Sequence, residues 1–559
     1  MTLHRTVNTQ CPLEKKMAQP HYRTPREAKA LFALGGEFAV LDVREQEEFS
    51  RSHMLLASCA PLSRLEMMVL DLVPCKCVPV VLVDSGEETG PPRAERAAAV
   101  LAGLGYQNPL VLQGGMKAWL AAGYVEFTGV GALSKGFGEY VEEEQHTPRL
   151  EPAEIKAIMD SGKPFVVIDV RPRDEYGNMN VPGGINAPGC EVTYRIADLA
   201  PDPEATIIIN CAGRTRSIIG TQTLRNAGIP NTVAALKGGT MNWQLAGYPL
   251  EYGTRRSTAP PSPAALDTAR QRAAAVAQKY AVSFVDAARL DAWRAEAAAR
   301  TLYVFDVRQP EEFAAGHIPG SRNAQGGQLV QATDEYAAVR GARFVLVDDT
   351  EVRAIMTAHW LTQMGLSQVY VLRGGLGGSG FGGRGLERGE VSATLPPLPT
   401  VPSISAAALA ERFAGGNPPL LLNVGTSAIH RRGHIPGAIW VTRGYLERAK
   451  AAYPDAQSLV VTADSEAHAR FAAEDAAKLW PGATVPALQE GNPAWAAAGL
   501  PLEAGMPTAL CAEDDIWYKP YTDVNARPEA MQGYFDWEFG LVERIRKDGD
   551  VRFRLTTKP

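Results

Sequence analysis

Apolar residues along this chain fall into short runs that each close on a polar turn. Val40-Leu41 leads into Asp42-Val43-Arg44, Val167-Ile168 into Asp169-Val170-Arg171, Val304-Phe305 into Asp306-Val307-Arg308, and Leu421-Leu422 into Asn423-Val424-Gly425. Such runs are rich in β-branched and aromatic residues and too short for a helix, so they predict buried strands. A second strand follows in each copy: Pro79-Val80-Val81-Leu82-Val83, Ile207-Ile208-Ile209, Phe344-Val345-Leu346-Val347 and Leu459-Val460-Val461. The copies recur every ~120–140 residues, which marks whole repeated domains, because solenoid repeats are only ~20–50 residues long.

Other features recur in the same order. The first three copies carry an acidic-aromatic step, Glu48-Phe49, Glu175-Tyr176 and Glu312-Phe313. A turn comes next, clearest as Gly316-His317-Ile318-Pro319-Gly320-Ser321 and Gly433-His434-Ile435-Pro436-Gly437-Ala438, with Val181-Pro182-Gly183-Gly184 and a degraded Ser52-His53-Met54-Leu55 as relatives. The copies close on Gly114-Gly115 with Trp119, Gly238-Gly239 with Trp243, Gly374-Gly375, and Glu490-Gly491 with Trp495. Strands alternating with helical patterns predict an α/β chain of four domains, each a small parallel sheet covered by helices on both faces. Ligands in such sheets sit beyond the carboxyl ends of the strands.

The predicted domains span 20–128, 147–253, 280–390 and 402–505, with a C-terminal extension over 506–559. Linkers read at 129–147 (Gly-rich, then acidic), 254–264 (Arg/Pro/Ser-rich) and 374–402 (a Gly run, then Pro). Residues 265–280 predict an Ala-rich helix, and two domains on each side of it predict a pair of tandems.

The copies differ in one chemically decisive place. After Ile207-Ile208-Ile209-Asn210 comes Cys211-Ala212-Gly213-Arg214-Thr215-Arg216-Ser217, just before a helical pattern. The same step past Asp42, Asp306 and Asn423 lands on Asp84, Asp348 and Ser465, so only the second copy has a thiol. A tight loop eased by Gly213, with Ser217 as helix cap, turns successive N–H groups inward as a nest for negative charge. The helix dipole adds to it, and Arg214 and Arg216 bring full positive charge. Sites of this kind lower a thiol from ~8.5 to ~3.5–7.5, so an ionised Cys211 is expected.

Composition adds boundaries. The chain has 559 residues, 45% apolar and 21% charged, with a net charge of −6; it gives no support for nucleic-acid binding. The first residues lack the apolar core of a signal peptide, and no apolar run approaches the ~20 residues of a membrane helix, so a soluble, cytoplasmic chain is expected. Seven cysteines, an odd number, do not suggest a disulfide framework. Cys75-Lys76-Cys77 is half a metal site without a second pair, so neither metal nor cofactor is expected.

The Asp-Val-Arg strand ends, the Gly-His-Ile-Pro-Gly turns, the loop opening on Cys211 and the Gly-Gly-x-x-x-Trp endings together resemble the rhodanese family. The resemblance covers about 20–505. It implies a thiosulfate sulfurtransferase. Cys211 is the nucleophile, and Ala212, Gly213, Arg214, Thr215, Arg216 and Ser217 cradle the substrate. Small sulfur donors and thiol or cyanide acceptors are the partners. The first and second copies resemble the tandem layout in which an inactive domain shelters an active one. Four residues separate Cys211 from Arg216, whereas related phosphatases on this fold use five; a phosphatase-like or mercaptopyruvate-type enzyme and a sulfur carrier docked on silent domains remain the alternatives. Asp169 and Arg171 read as structural support, Trp243 as packing, and Cys190 as a bystander or a resolving thiol. His317 and His434 lie in copies without cysteine. The tail predicts a helix over 528–547 with Met531, Tyr534, Phe535, Phe539, Leu541, Val542 and Ile545 as its apolar set, docking on its own domains or, as a homo-oligomer, on a second subunit.

Overall fold

The computed structural model describes residues 21–88, 90–377, 381, 384–416, 418–522 and 527–555; Cys11 lies outside them. Each predicted strand run enters one of four sheets with the same order. In the second sheet this order is Arg149–Leu150, Val233–Leu236, Thr206–Asn210, Phe165–Asp169, Ile185–Asn186, all parallel. The third and fourth sheets repeat it, and the first adds an antiparallel strand, Val339–Arg340, borrowed from the third copy. The fold is therefore four repeated α/β units, each a parallel sheet flanked by helices, with a C-terminal extension.

The strand ends explain why Asp and Arg recur there. Asp169 takes the Arg171 backbone N–H at 3.0 Å and its guanidinium at 2.9 and 2.7 Å, while Asn210 donates to the other face of the carboxylate at 2.9 Å. Arg171 then reaches the Met179 carbonyl. Both side chains are buried, and the lock ties the turn after the strand to its neighbours. Asp42–Arg44 and Asp306–Arg308 repeat it. In the fourth copy Asn423 takes the Gly425 N–H at 2.9 Å and pairs with His430, so a neutral lock replaces the charged one.

Two expectations give way. The stretch read as a linker over 129–147 is mostly a 14-residue helix, Ala132–Gln145. Its glycines are not flexible joints but a contact face. A Cβ on Gly136 would meet Ile545 Cδ1 at 2.3 Å, and one on Gly138 would meet Thr215 Cγ2 at 2.6 Å. Composition suggested a loop; close packing on both sides decided for a helix.

Pairing across the spacer also differs from two sequential tandems. The Ala-rich helix Pro263–Lys279 buries Ala265, Ala269, Ala273 and Ala277, one turn apart, and packs against helices of both the second and third copies. Those copies face each other: Arg353 of the third donates to Glu191 of the second at 2.8 Å, and Trp360 Nε1 donates to Thr223 Oγ1 at 2.8 Å. The first copy meets the fourth through Arg443–Glu66 at 2.7 Å and Arg93–Tyr445 at 3.0 Å. The sheltering neighbour of the second copy is thus the third rather than the first, because short helix faces complement across the spacer.

Arg353 is fully buried among Glu191, Glu312, Asp348 and Asp349. Arg353→Met leaves these carboxylates without their common cation, so the unfolding transition of the second and third units is expected to lose ~3–5 kcal/mol. Arg173→Met removes an exposed ion pair to Glu311 across the same interface and is expected to cost less than ~1 kcal/mol. Calorimetric unfolding of the two variants checks the contrast; equal losses would refute it.

Candidate active site

Cys211 stands at the end of the central strand Thr206–Asn210, and the loop after it runs into the helix Thr215–Asn226. The closing Gly-Gly motif clamps this loop from behind. Thr240 N donates to the Cys211 carbonyl at 2.9 Å and Met241 N to the Ala212 carbonyl at 3.1 Å. Gly239 has φ +59°, and a Cβ there would lie 2.3 Å from the Cys211 carbonyl oxygen, so no other residue fits without moving the loop.

The copies without a cysteine show what groups this loop accepts. In the third, Asp348 fills it and accepts the N–H groups of Glu351 at 2.5 Å and Arg353 at 2.9 Å. In the first, Asp84 accepts those of Gly86 at 3.0 Å and Ala94 at 3.1 Å. A carboxylate thus sits in an amide nest that holds negative charge. In the fourth, Ser465 caps its helix by accepting from His468 N at 3.3 Å. In the second, the thiol occupies that position, 3.5 Å from Ser217 Oγ. Ser217 does not cap the helix as expected. It lies in the first turn and donates to the Arg214 carbonyl at 2.8 Å.

The two arginines diverge. Arg216 is gripped by Glu175 at 2.9 and 2.7 Å and also donates to Gln328 of the third copy at 3.2 Å. Burial alone would raise the Glu175 carboxyl, but the Arg216 guanidinium holds it down at about 2. The same pair recurs as Glu48–Arg93 and Glu312–Arg353, which places Arg93 as the counterpart of Arg216 in the first copy. Arg214 turns away from the loop. It donates to Glu139 at 2.7 and 2.6 Å, pairs with Glu142, and lies 4.3 Å from the Phe539 ring. Its expected place beside a substrate is taken by this anchoring role.

Cys211 departs from the expected low pKa. Burial raises the thiol above its ordinary value, and this outweighs Arg216, the Ser217 hydroxyl and the Ser217 and Gly213 amides, all of which pull it down. The physical reason is coverage. Cys211 is 2% exposed and no residue from Ala212 to Ser217 is open to solvent.

Part of this cover comes from the tail, which docks on its own chain. Its helix forms as predicted but breaks at Gly540 into Pro528–Phe539 and Leu541–Asp548. Met531, Tyr534 and Phe535 cluster with Met179, Ala212, Met241 and Tyr521 over the loop. Glu538 accepts from Thr215 Oγ1 at 3.3 Å, and the position of a Cβ on Gly213 lies 3.6 Å from the Tyr534 ring. Leu541 and Ile545 pack on Gly136, and Trp537 Nε1 donates to the Thr128 carbonyl at 3.0 Å. Fully burying a large apolar side chain is worth ~1.5–3 kcal/mol, so five of them hold the segment down firmly. Further upstream, the tail contacts Glu47 of the first copy and Ser427 of the fourth, and further on Gln363 of the third. Sequence reasoning did not place Glu175, Gln328, Tyr521, Tyr534 or Glu538 around the loop; the Glu175-Tyr176 repeat and the apolar set of the docking tail, which includes Tyr534, are the signals that bear on them.

Other singled-out residues stand apart. Trp243 is buried and donates to the Pro249 carbonyl at 2.8 Å. His317 stacks on Phe313 and His434 on His430, each away from the Cys211 loop. Cys190 packs beside Gly326, and burial lifts its thiol to about 12. Cys75 and Cys77 face each other at 2.7 Å. Among the described residues, no cluster of three or more His, Cys, Asp or Glu could hold a metal, and no helix is long and apolar enough to cross a membrane.

Comparisons with known proteins agree with this frame. The rhodanese-like domain family matches residues 24–122, 151–246 and 286–378. A crystal structure of a thiosulfate sulfurtransferase from Pseudomonas aeruginosa superposes with a TM-score of 0.90 at 46% identity, covering 96% of this chain and 99% of that one. Among curated relatives, the HTH-type transcriptional regulator Rv0324 of Mycobacterium tuberculosis is 33% identical over 103 residues, 18% of this chain and 43% of its own length. The putative sulfur carrier protein YrkF of Bacillus subtilis is 26% identical over 131 residues, 22% of this chain and 70% of its own length. The match therefore spans less than half the length of the first of these relatives.

The docked tail carries protons. Burial raises Glu538 from 4.5 to about 8, helped by Glu139 and opposed by Lys135, Arg214 and Tyr534. Asp514 and Asp550 rise to about 6 for the same reason. A released tail gives up these protons near the ordinary carboxyl value, so docking takes up protons between about 4.5 and 8 and weakens as pH climbs through that window. Burial of Lys135 lowers it to about 8, which opposes the trend only above that pH. Amide exchange in residues 528–539, corrected for intrinsic rates, is expected to show protection falling between pH ~6 and ~8.5, and Glu538→Gln to remove most of the slope. A slope unchanged by that substitution would contradict this.

Proposed function

This chain belongs to the rhodanese-like family, and on that premise we propose that it is a sulfurtransferase working through a persulfide on Cys211. The observation that carries the reading is the exchange at the head of the loop: Asp348 and Asp84 satisfy the amide nest with their own charge, whereas Cys211 brings a group that is anionic only as a thiolate and that can attack sulfur.

Thiosulfate is the proposed donor. The Cys211 thiolate attacks the outer sulfur, a new S–S bond forms, and the bond from that sulfur to the sulfonate sulfur breaks with its electron pair leaving on sulfite. A thiophilic acceptor such as cyanide then attacks the outer sulfur of the persulfide, and the Cys211 thiolate departs. This is two-step covalent catalysis with ping-pong kinetics. Inward-facing amides of the loop steady the persulfide anion and the leaving charge. The Arg216 guanidinium, held in place by Glu175 and Gln328, supplies the local positive field. When the cover parts, burial ceases to oppose ionisation while Ser217, Arg216 and the amides still favour it. The covered thiol is thus kept protonated until the site opens.

A carrier loaded by a protein donor is the second reading, favoured by the likeness to a putative sulfur carrier protein. The near-complete burial of Cys211 weighs against it, since a protein persulfide needs an open approach. Thiocyanate formation from thiosulfate and cyanide decides between them. Wild type is expected to turn over, and Cys211→Ser to lose ~1,000-fold or more with its melting temperature unchanged. A Cys211→Ser protein that keeps a tenth of the activity would overturn the reading, as would thiosulfate treatment that leaves the Cys211 peptide without an added sulfur atom.

A further inference from the structure

The segment beyond the fourth unit follows none of the repeated frames, yet its helix Pro528–Phe539 sits on the one loop that carries a thiol. Several contacts aim it there. Glu538 Oε1 accepts from Thr215 Oγ1 at 3.3 Å, and Oε2, buried, has no hydrogen-bond partner among the described residues. That oxygen and the Tyr534 ring lie 3.8 and 3.6 Å from where a Gly213 side chain would begin. Tyr521 meets Tyr534 edge-on at 5.6 Å between ring centres, and Phe535 closes over Gly238. Met179, Met241 and Met531 complete the lining. Thioethers and aromatic faces are soft, polarisable surroundings, suited to a sulfane sulfur atom. Arg216 and Lys519 lie within electrostatic reach of Tyr521, together with the Glu175 and Glu538 carboxyls, so charged groups border the lining.

Resting on the sulfurtransferase reading, we propose that Tyr521, Tyr534 and Glu538 of the C-terminal segment form a specificity-determining roof over Cys211 that admits small sulfane-sulfur anions and small nucleophiles and turns away thiols borne on proteins. The cover opens in two ways of very different size. Rotating the Tyr521 and Tyr534 side chains clears a path for a molecule the size of thiosulfate or cyanide. Admitting a protein means lifting both tail helices, Pro528–Phe539 and Leu541–Asp548, with Met531, Phe535, Leu541, Val542 and Ile545 leaving the core and Trp537 giving up the Thr128 carbonyl. The first motion is a side-chain event on the ps–ns scale when exposed, slower when packed; the second is local unfolding.

The test uses the full-length chain and its Tyr534→Ala, Tyr521→Ala and Tyr534→Phe variants. One arm measures discharge of sulfur, after loading with thiosulfate, to cyanide, glutathione and reduced thioredoxin. Wild type is expected to favour cyanide over thioredoxin by ~100-fold in kcat/KM, each alanine variant to shift that ratio ~10-fold toward thioredoxin, and Tyr534→Phe to stay within ~2-fold of wild type. A second arm needs no sulfur chemistry: alkylation of Cys211 by iodoacetamide and by a 5 kDa (about) maleimide-polyethylene glycol, read by peptide mass, with the bulky reagent gaining ~10-fold or more over the small one in the alanine variants. Unchanged size ratios in both folded alanine variants would overturn the roof whatever the donor is. Wild type that shows the labelling bias but acquires no sulfur from thiosulfate would keep the roof and defeat the sulfurtransferase reading instead. The two alanine sites lie on different segments, so loss of folding in one leaves the other to decide.

Discussion

A ring of inward-facing backbone amides at the end of a buried strand has to meet negative charge, and much of this molecule follows from how each copy meets it. Asp348 and Asp84 do so with a carboxyl group that accepts the amides of the next turn, although burial raises both above the ordinary carboxylate value. The second copy places Cys211 there, whose charge depends on its surroundings. One difference of side-chain type at the head of the loop therefore sets the second copy apart on an otherwise shared frame.

The surroundings of Cys211 are built by elements far apart in sequence. Glu175 orients Arg216 from its own domain, Gln328 reaches in from the third, Glu139 draws Arg214 aside from the helix between the first and second units, and Glu538 comes from the tail. Burial under this cover raises the thiol, while the amides and Arg216 draw it down. Under this cover the balance favours the protonated thiol.

The silent units have clear mechanical parts. The third lends a strand to the first sheet, faces the second through Arg353, and anchors the end of the tail at Gln363. The first and fourth clasp each other through Glu66 and Arg443, and both hold the stretch around Asp514 and Asp515. The segment that covers Cys211 is thus fastened to all four units, and its position depends on their mutual arrangement.

The strands, their polar ends, the fourfold repetition and the singular thiol were legible in the sequence, because each is set by local pattern: alternating burial, turn chemistry and residue type at a fixed step. Asp169 and Arg171 could be read as a structural lock for that reason. Local pattern failed where long-range packing decided. Gly136 and Gly138 look like a flexible joint, but they form the face of a helix pressed between Ile545 and Thr215. Arg214 looks like an anion ligand, but in this structure it pairs with two carboxylates on that same helix, Glu139 and Glu142. Which domains pair, where the tail lies and whether Cys211 is ionised all depend on surfaces hundreds of residues apart meeting with complementary shape and charge. A chain read one window at a time carries no record of those meetings, so the sequence determined the lone loop-head thiol and the residues beside it, and only the tertiary structure decided what covers them.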